Sequence, residues 1–337
     1  YSERWSFDIQ QQLARNLMLD VGYIGDHQVD LSYSNCLSSA VSNSGCGGVP
    51  PIQYLSRLPY RDNALTTAMS VSVPNPFSGL LPGTNLNAAN TSVANLLGPL
   101  PAYSSVTQKL VPGAYSWFQM LAVRLTKRFS DGLQFNINYE HSRQLEASPL
   151  QSGGPLVYQE TSSDFPDHFV ITGTYALPFG RGARLLSHAN GVVNAIVGGW
   201  TLNAIYLWES GAPLSWGNVV YYGGPLNPEP RNLTHAFDVT QFDRVTADQP
   251  NAYNYRTFST MFNNLRSDGA NNADLSMMKS FLITERVRLQ YRFETFNSFN
   301  RPQFGAANTS PTSPAFATIT SQANSSRQVQ MGLRLQF

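Results

Sequence analysis

The clearest pattern in this chain is a strict alternation of apolar and polar residues. Residues 133–140, 287–294 and 329–337 each place an apolar side chain at every second position. A period of two held over eight or more residues predicts a β-strand with one apolar and one polar face, and it excludes an amphipathic helix. The edge strand of a soluble sandwich and a lipid-facing barrel strand both have such faces. The alternation alone leaves both interpretations open.

The charged residues of these strands all fall on one face. In 287–294, Arg288, Arg292 and Glu294 alternate with apolar neighbours. A basic residue near the middle of a bilayer costs about 2–4 kcal/mol on the lipid side of a barrel, but little on the side of a hydrated lumen. The barrel interpretation therefore predicts lumen-facing Arg288, Gln290, Arg292 and Glu294, and lipid-facing Leu133, Phe135, Ile137, Tyr139, Leu289 and Tyr291.

Strands of this kind alternate with connections of two lengths. Residues 14–16, 130–132 and 282–285 are tight turns, whereas Pro, Gly, Asn and Ser enrich several much longer segments. Short turns at one end and long loops at the other are typical of outer-membrane barrels, with the turns periplasmic and the loops extracellular. The long loops are predicted at about 26–115, 142–167, 210–271 and 298–325. About nine strands are predicted near 5–13, 17–25, 116–129, 133–141, 168–177, 199–209, 272–282, 286–297 and 326–337.

One connection breaks this pattern. Residues 178–198 lie at the end of the short turns, yet they are a long segment. Their apolar stretch 191–197 predicts either a short helix or an apolar plug against the barrel rim. Aromatic residues also cluster near both ends of the predicted strands, as in the two interfacial girdles of a membrane barrel, although ordinary core aromatics give a similar pattern.

Composition favours the barrel. Charged residues are 13% of the 337, about half the usual share, and the net charge is +1. Mean hydropathy is −0.23, and Asn, Gln, Ser and Thr carry the polarity. The sequence contains no apolar run of about 18 residues, so it predicts no transmembrane helix. The near-zero net charge argues against a nucleic-acid partner.

The two cysteines indicate an oxidising compartment. Cys36 and Cys46 stand close together in a segment rich in Ser, Asn and Gly, with no His nearby. Such a pair predicts a local disulfide, with two free thiols as the alternative. The sequence starts at Tyr1 without the features of a signal peptide, so we expect either a cleaved leader or a longer protein around this piece.

Several motifs, in order, carry a resemblance to a known family. They are FPDHFVITGTYALPFGRG at 165–182, GGW at 198–200, ESGAPL at 209–214, RFETFNSFNRPQFG at 292–305 and RQVQMGLRLQF at 327–337. Together they resemble the C-terminal part of the barrel of TonB-dependent outer-membrane receptors, specifically the Oar-like group with a carboxypeptidase-regulatory-like domain. The closing strand, with Val329, Met331, Leu333, Leu335 and the terminal Phe337, resembles the signal read by the barrel assembly machinery.

The resemblance implies an all-β fold, namely part of an antiparallel transmembrane barrel of about 22 strands. It implies location in the bacterial outer membrane, contact with its lipid, and uptake of an oligosaccharide, peptide or metal chelate. Receptors of this group couple to the TonB complex through an N-terminal plug, which is missing from these 337 residues. Neither the substrate nor the ligand-binding residues can be assigned from the sequence.

The sequence gives little support for metal binding or catalysis. Asp164, Asp167 and His168 could hold a metal, but Asp and His at a strand entrance more often form loop hydrogen bonds. Residues 268–274 lack the spacing of an EF-hand, which makes calcium a weak hypothesis. We therefore expect no enzyme activity, no metal and no cofactor. Tyr221, Tyr222 and the loop 227–266 could contact a carbohydrate or peptide, although a solvated surface loop is the simpler interpretation.

Two other functions stay open: a structural or adhesive surface barrel without transport, and a soluble secreted β-sandwich that acts as a binding module. Long loops tell against the sandwich.

Overall fold

The computed structural model describes residues 1–36, 50–83, 87–98, 100–103 and 106–337. This part of the chain is mainly antiparallel β-sheet, as predicted. Among the described residues, no helix is both long and apolar enough to cross a bilayer. Cys46 lies outside the described residues, and so does the predicted Cys36–Cys46 disulfide.

The strands are β1 (Ser2–Ala14), β2 (Leu17–Cys36), β3 (Ser72–Pro74), β4 (Asn90–Ser92), β5 (Thr107–Ser130), β6 (Leu133–Pro149), β7 (Leu156–Glu160), β8 (Asp167–Ala176), β9 (Trp200–Glu209), β10 (Pro213–Ser215), β11 (Met261–Arg266), β12 (Asn271–Leu282), β13 (Arg288–Phe296) and β14 (Gln328–Gln336). The helices are α1 (Asn63–Ser70), α2 (Val93–Leu96) and α3 (Gly191–Val197), with single 3-10 turns at Ile52–Tyr54 and Val239–Gln241.

The main sheet follows the chain. Its order is β1-β2-β5-β6-β8-β9-β12-β13-β14, and β7 adds a further pairing with β6. Neighbouring strands are antiparallel throughout. Within the described residues, β1 and β14 form the two edges and do not pair with each other, so this sheet is open.

Each predicted strand overlaps a strand of the main sheet, but some bounds were wrong. β2 continues to Cys36 rather than ending at 25, β5 begins at Thr107 rather than 116, and β6 continues to Pro149 rather than ending at 141. In β2 the alternation breaks at Asp26, His27 and Gln28 and resumes with Val29, Leu31 and Tyr33. Three consecutive polar residues interrupt the period of two, so the pattern predicts the end of a strand that in fact continues.

The register gives the sheet two distinct faces, because directly paired residues point to the same side. Two adjacent rows cross six strands, β6, β8, β9, β12, β13 and β14. One row is wholly apolar: Leu133, Tyr175, Leu202, Met277, Phe293 and Met331. The neighbouring row is wholly polar: Gln134, Thr174, Asn203, Ser276, Glu294 and Gln330. We call the side of the sheet that carries the apolar row the apolar face, and the opposite side the polar face.

Connections at one end of the sheet, the turn end, are short, except for residues 177–199 between β8 and β9. Between β5 and β6, Asp131 and Gly132 have φ values of 52° and 80°. Two consecutive positive φ values belong to the type I′ turn, which matches the twist of a hairpin and favours Asp-Gly. The prediction of a tight turn here is confirmed.

At the opposite end, the loop end, the connections are folded rather than solvated. Segments 210–270 and 298–325, which we call the loop cap, share a buried cluster of apolar side chains. This is the main hydrophobic core of the described residues, and it contradicts the simpler interpretation of 227–266 as a solvated loop. Its members are Leu214, Trp216, Val219, Leu226, Ala236, Phe237, Phe242, Phe258, Leu265, Ala307, Phe316, Ala317 and Ile319.

The segment that carries α1 is attached to the loop cap by hydrogen bonds. Asn254, which is buried, donates to the carbonyl of Tyr60 at 2.7 Å and to that of Leu58 at 3.3 Å. The N–H of Arg61 donates to the carbonyl of Asp248 at 2.8 Å. These bonds join loops nearly 200 residues apart in sequence, so the segment around α1 is packed against the loop cap.

Candidate functional site

The polar face of the sheet carries a ladder of side-chain hydrogen bonds between neighbouring strands. Arg124 Nε donates to Asn138 at 3.0 Å, and the Thr174 hydroxyl donates to Asn203 at 2.9 Å. Between β1 and β2, the Gln10 amide donates to Asp20 at 2.8 Å. Cross-strand pairs of this kind fix the register while leaving the face hydrophilic.

The four residues predicted to face a lumen share this polar face. Arg288, Gln290, Arg292 and Glu294 pair with Gln336, Arg334, Gly332 and Gln330 of β14. Arg292 and Glu294 also form an ion pair at 3.4 Å, in which Arg292 is half exposed. Their position opposite a lumen stays a prediction, but their common side of the sheet agrees with it.

The residues predicted to face lipid share the apolar face. The register carries this face from Leu133, Phe135, Ile137 and Tyr139 of β6 through β8, β9 and β12 to Leu289 and Tyr291 of β13. On β14, Val329, Met331, Leu333 and Leu335 continue it. Phe337 comes directly after the last residue of β14 and is 97% exposed. The predicted contacts of these side chains, with lipid or with the assembly machinery, stay predictions.

Trp216 lies at the centre of the loop cap. Its ring stacks on Phe242 with a centroid distance of 5.1 Å, and the rings of Phe237, Phe258 and Phe316 lie within 6.3 Å. Aromatic pairs at these distances stabilise a core beyond the area they bury. Arg256 donates from Nη2 to the Trp216 carbonyl at 2.6 Å, and burial lowers the pKa of this guanidinium from its ordinary value. The cap is thus a folded body in which a partly buried guanidinium is bonded to the backbone of its aromatic core.

Two buried carboxylates connect the cap to the strand ends. Asp164 accepts from Arg266 Nη2 at 2.5 Å and from the Gln144 N–H at 2.6 Å. Asp268 accepts from Arg231 Nη1 at 2.7 Å and from Arg301 Nη2 at 3.3 Å. Buried carboxylates need such partners, because an unpaired charge in the interior is strongly unfavourable. Both aspartates therefore hold the loops in place.

A shallow cleft of about 290 Å³ opens where the cap meets the ends of the central strands. Its walls include Trp208, Pro228, Arg266 and Arg301. Because both arginines are already paired with carboxylates, the cleft offers a balanced rather than a cationic surface.

Comparison with known proteins identifies the family. A family model described as "outer membrane beta barrel domain" matches residues 1–330. This chain belongs to that family. The barrel domain is therefore located in the bacterial outer membrane. No curated protein matches its sequence significantly.

Solved structures similar to this barrel domain are distant in sequence. Pseudomonas aeruginosa FpvA bound to heterologous pyoverdines is 10% identical, with a TM-score of 0.40, and the match covers 99% of this chain and 27% of FpvA. The outer membrane transporter YddB from Escherichia coli is 8% identical, with a TM-score of 0.43 and coverage of 99% and 32%. The ferric-catecholate import receptor Fiu from Escherichia coli K12 is 10% identical, with a TM-score of 0.28 and coverage of 88% and 35%. The chain spans about a third or less of the length of these proteins.

Of the residues that resembled a metal site, Asp164 and Asp167 accept hydrogen bonds, and His168 lies at ion-pair distance from a carboxylate. Asp167 accepts from the Tyr139 hydroxyl at 2.7 Å and lies 2.9 Å from His141 Nδ1. His168 lies 3.8 Å from a carboxylate oxygen of Glu209. In the described part of the chain, no three His, Cys, Asp or Glu side chains are grouped so that they could hold a metal ion.

The connection 178–198, which we call the rim segment, was predicted to contain a helix or a plug, and it contains α3. The ammonium of Lys279 on β12 donates to the carbonyls of Ala195, Ile196 and Asn194 at 2.6, 3.3 and 3.4 Å. Trp200 Nε1 donates to the Ile196 carbonyl at 2.8 Å. These donors bind carbonyls in the last turn of the helix, where intrahelical donors run out; the Asn194 carbonyl also accepts from the N–H of Gly198 at 3.0 Å.

Sequence reasoning missed the loop cap and the lysine under α3. One signal for the cap was available, namely the density of aromatic residues between 216 and 262 in a segment otherwise classed as loop. Lys279 carried a second signal, because it interrupts the apolar positions Leu275, Met277 and Phe281 of β12. A cation at an otherwise apolar position needs a local partner.

Proposed function

We propose that this chain is the C-terminal portion of the barrel of a TonB-dependent outer-membrane transporter of the Oar-like group. In this proposal the apolar face contacts lipid, the polar face lines the lumen, the turn end is periplasmic and the loop cap is extracellular. The chain contributes part of the wall and part of the outer surface. Coupling to the TonB complex belongs to a plug that other residues of the whole protein would supply.

The observation that carries the proposal is the open, two-faced sheet. Its polar and apolar rows run without interruption from β6 to β14, while β1 and β14 leave their outer edges unpaired among the described strands. In hydrocarbon each unmet backbone group costs several kcal/mol, and open edges are not stable there. A membrane-embedded sheet of this kind needs both edges paired, and in this proposal further strands of the whole protein pair with them.

The loop cap supports a receptor role. Its aromatic core and its buried ion pairs give the extracellular end a fixed shape, which suits recognition of a solute before transport. The proposed substrate is an oligosaccharide, a peptide or a metal chelate. The cleft beside Trp208 is the first surface of the cap to test against them.

Cysteine cross-linking of the edge strands in the full-length protein tests the barrel proposal. One cysteine is introduced at Phe7 or Ile9 of β1 and a second at Met331 or Leu333 of β14, with Cys36 and Cys46 replaced by serine. The proposal expects no disulfide between β1 and β14, because each of these edges would pair with a strand contributed by residues outside 1–337. Efficient cross-linking of β1 directly to β14 would instead describe a small closed barrel and would remove the main support for a transporter.

A binding measurement tests the energy coupling. The full-length protein is expected to retain the periplasmic domain of TonB on an affinity column, whereas residues 1–337 alone are not. Equal retention of both would place the contact on this chain and contradict the proposed role of a plug. Retention of neither, together with a closed β1–β14 ring, would favour a structural surface barrel.

A further inference from the structure

The rim segment and α3 lie on the apolar face of the sheet. Lys279, which holds the helix, pairs with Trp200 on β9 and with Tyr291 on β13, and Met277 and Phe281 share its side of β12. Only a helix placed against this face can bring its carbonyls to the ammonium of Lys279. The rim segment therefore covers the turn end of the face that we propose to contact lipid.

The contact with Lys279 makes the position of α3 specific. Lys279 is 4% exposed, and its ammonium lies 5.4 Å from the ring centre of Trp200 and 5.0 Å from that of Phe281. A cation between aromatic faces, with three carbonyls as acceptors, is held both by hydrogen bonds and by cation–π attraction. At the edge of a hydrocarbon layer this arrangement satisfies a charge that would otherwise be costly.

The outer surface of the rim segment is apolar and basic. Val192 is 72% exposed and Ile196 is 65% exposed, and Phe179, Leu185 and Leu186 are exposed beside them. Arg181 and Arg184 are also exposed, and residues 178–198 contain no Asp or Glu. Exposed apolar side chains interspersed with cations are typical of segments that lie in the plane of a membrane interface and attract anionic lipids.

We propose that the rim segment is a membrane-interface anchor that binds the phospholipid surface next to the turn end of the apolar face. This inference rests on the proposed membrane orientation of the two faces. Val192 and Ile196 enter the boundary between headgroups and acyl chains, and Arg181 and Arg184 contact lipid phosphates. Lys279 and Trp200 connect the anchored segment to β12 and β9.

Two observations favour lipid over a protein partner. The exposed apolar residues of the rim segment continue the apolar face of the sheet rather than forming an isolated patch, because Lys279 and Trp200 join the two directly. Their basic neighbours complement anionic headgroups. A bilayer beside the sheet would cover both surfaces at once.

Spin labels on the full-length protein in vesicles test the anchor. Labelled cysteines replace Val192 or Ile196 in a variant whose Cys36 and Cys46 are serine. Val245, which is 55% exposed in the loop cap, is the matched aqueous control, and Leu289 on the apolar face is the lipid control. At 192 and 196 we expect high accessibility to oxygen and low accessibility to a water-soluble nickel complex, with the reverse at 245.

The spin-label results distinguish failure of the anchor from failure of the proposed orientation of the faces. Labels at 192 and 196 that behave like the label at 245 overturn the anchor while leaving the barrel proposal intact, provided that 289 contacts lipid. Protection from both reagents would indicate a protein covering the segment and would overturn the lipid assignment. An aqueous label at 289 would refute the orientation of the faces itself.

The charge component is tested with lipid composition. In vesicles of phosphatidylcholine with phosphatidylglycerol, we expect the labels to lie deeper than in phosphatidylcholine alone. The double variant Arg181→Gln with Arg184→Gln should lose this difference, and Arg181→Lys with Arg184→Lys should retain it. Equal depth in both lipids for the unsubstituted rim segment would contradict recognition of anionic headgroups.

Discussion

Arg266 and Asp164 form a buried ion pair that joins the loop cap to the entrance of β8. Arg266 Nη2 lies 2.5 Å from Asp164 Oδ2, although the two residues are 102 positions apart, and the Asp164 side chain is 1% exposed. Arg266 Nη1 also donates to the carbonyl of Asp164 at 2.6 Å. One guanidinium thus fixes both the backbone and the side chain of the loop before β8.

Removing this arginine should destabilise the loop end strongly. Arg266→Met leaves the Asp164 carboxylate buried without its cation, and loss of one partner of a buried pair costs about 3–5 kcal/mol. The exposed pair Arg292–Glu294 offers the matched control, because Arg292→Gln should cost about 0–1 kcal/mol. Urea titration of the full-length protein in vesicles, with protease sensitivity of the loops as the readout, measures the destabilisation by each substitution. Equal effects of the two substitutions would show that the buried pair contributes no more than a surface pair.

Trp216 should be the most sensitive residue of the cap. Trp216→Ala removes a side chain that is 3% exposed and in contact with several phenylalanine rings, at a cost of about 3–5 kcal/mol. Trp216→Phe should be much milder, because the indole Nε1 has no hydrogen-bond partner among the described residues. Trp208→Ala, at a residue 37% exposed, is the control. Proteolysis of the loop cap should accelerate by about two to four orders of magnitude for Trp216→Ala, and an unchanged rate would contradict a folded cap.

Lys279 should hold the rim segment against the sheet. Lys279→Met removes the donor shared by three carbonyls of α3, so trypsin should cleave faster at Arg181 and Arg184, and amide exchange in 191–197 should rise. Lys127 provides a matched lysine at the same end of the same face, bonded to Ser130 rather than to α3. Lys127→Met should leave the rim segment unchanged. A similar change in both variants would assign the effect to general loss of charge.

Helix α1 should loosen in acid. The N–H of Leu65 and the hydroxyl of Ser56 donate to Asp62 at 2.9 and 2.8 Å, and these bonds hold the pKa of this carboxyl below its usual value. Since the folded pKa is lowered, the carboxylate stabilises α1 fully above the usual value of about 3.9, and this contribution is lost as the pH falls through the lowered one.

Amide exchange at Leu65, followed from neutral pH to below the usual carboxyl pKa, measures this effect. Asp62→Asn keeps a capping side chain without a titrating charge, so the exchange of Leu65 in that variant should lack the acid-dependent step. An identical step in both proteins would assign the titration to another group.

Sequence reasoning could predict the membrane-like part of the sheet because its physics is local. In 133–140 each residue meets either an apolar or a polar surface, and the alternation records this directly. The Asp131-Gly132 turn is equally local, since its conformation depends on two residues that tolerate positive φ.

The loop cap and the rim contact could not be predicted in the same way. Trp216 meets Phe316 a hundred residues later, and Arg266 meets Asp164 across a similar separation. Neither contact produces a period in the sequence. Lys279 was visible as an exception to alternation, but its partner is a set of backbone carbonyls, which every sequence contains.

In the proposed orientation, one face of this sheet contacts lipid and the other does not. Ile137 and Asn138 are neighbours on β6 and point to opposite faces, and Ile137 pairs with Ile171 in the middle of β8. Ile137→Arg places a cation on the apolar face near the midplane, at a cost of about 2–4 kcal/mol. Asn138→Arg places the same cation on the polar face, where solvent can reach it. Loss of the acceptor for Arg124 and the new like-charge contact should cost up to about 1 kcal/mol.

Folding of the two variants of the full-length protein into phospholipid vesicles, measured by urea titration, compares the faces directly. We expect Ile137→Arg to lower the free energy of unfolding by about 2–4 kcal/mol and Asn138→Arg to change it much less. Equal destabilisation by both substitutions, or a larger effect of Asn138→Arg, would refute the assignment of the apolar face to lipid.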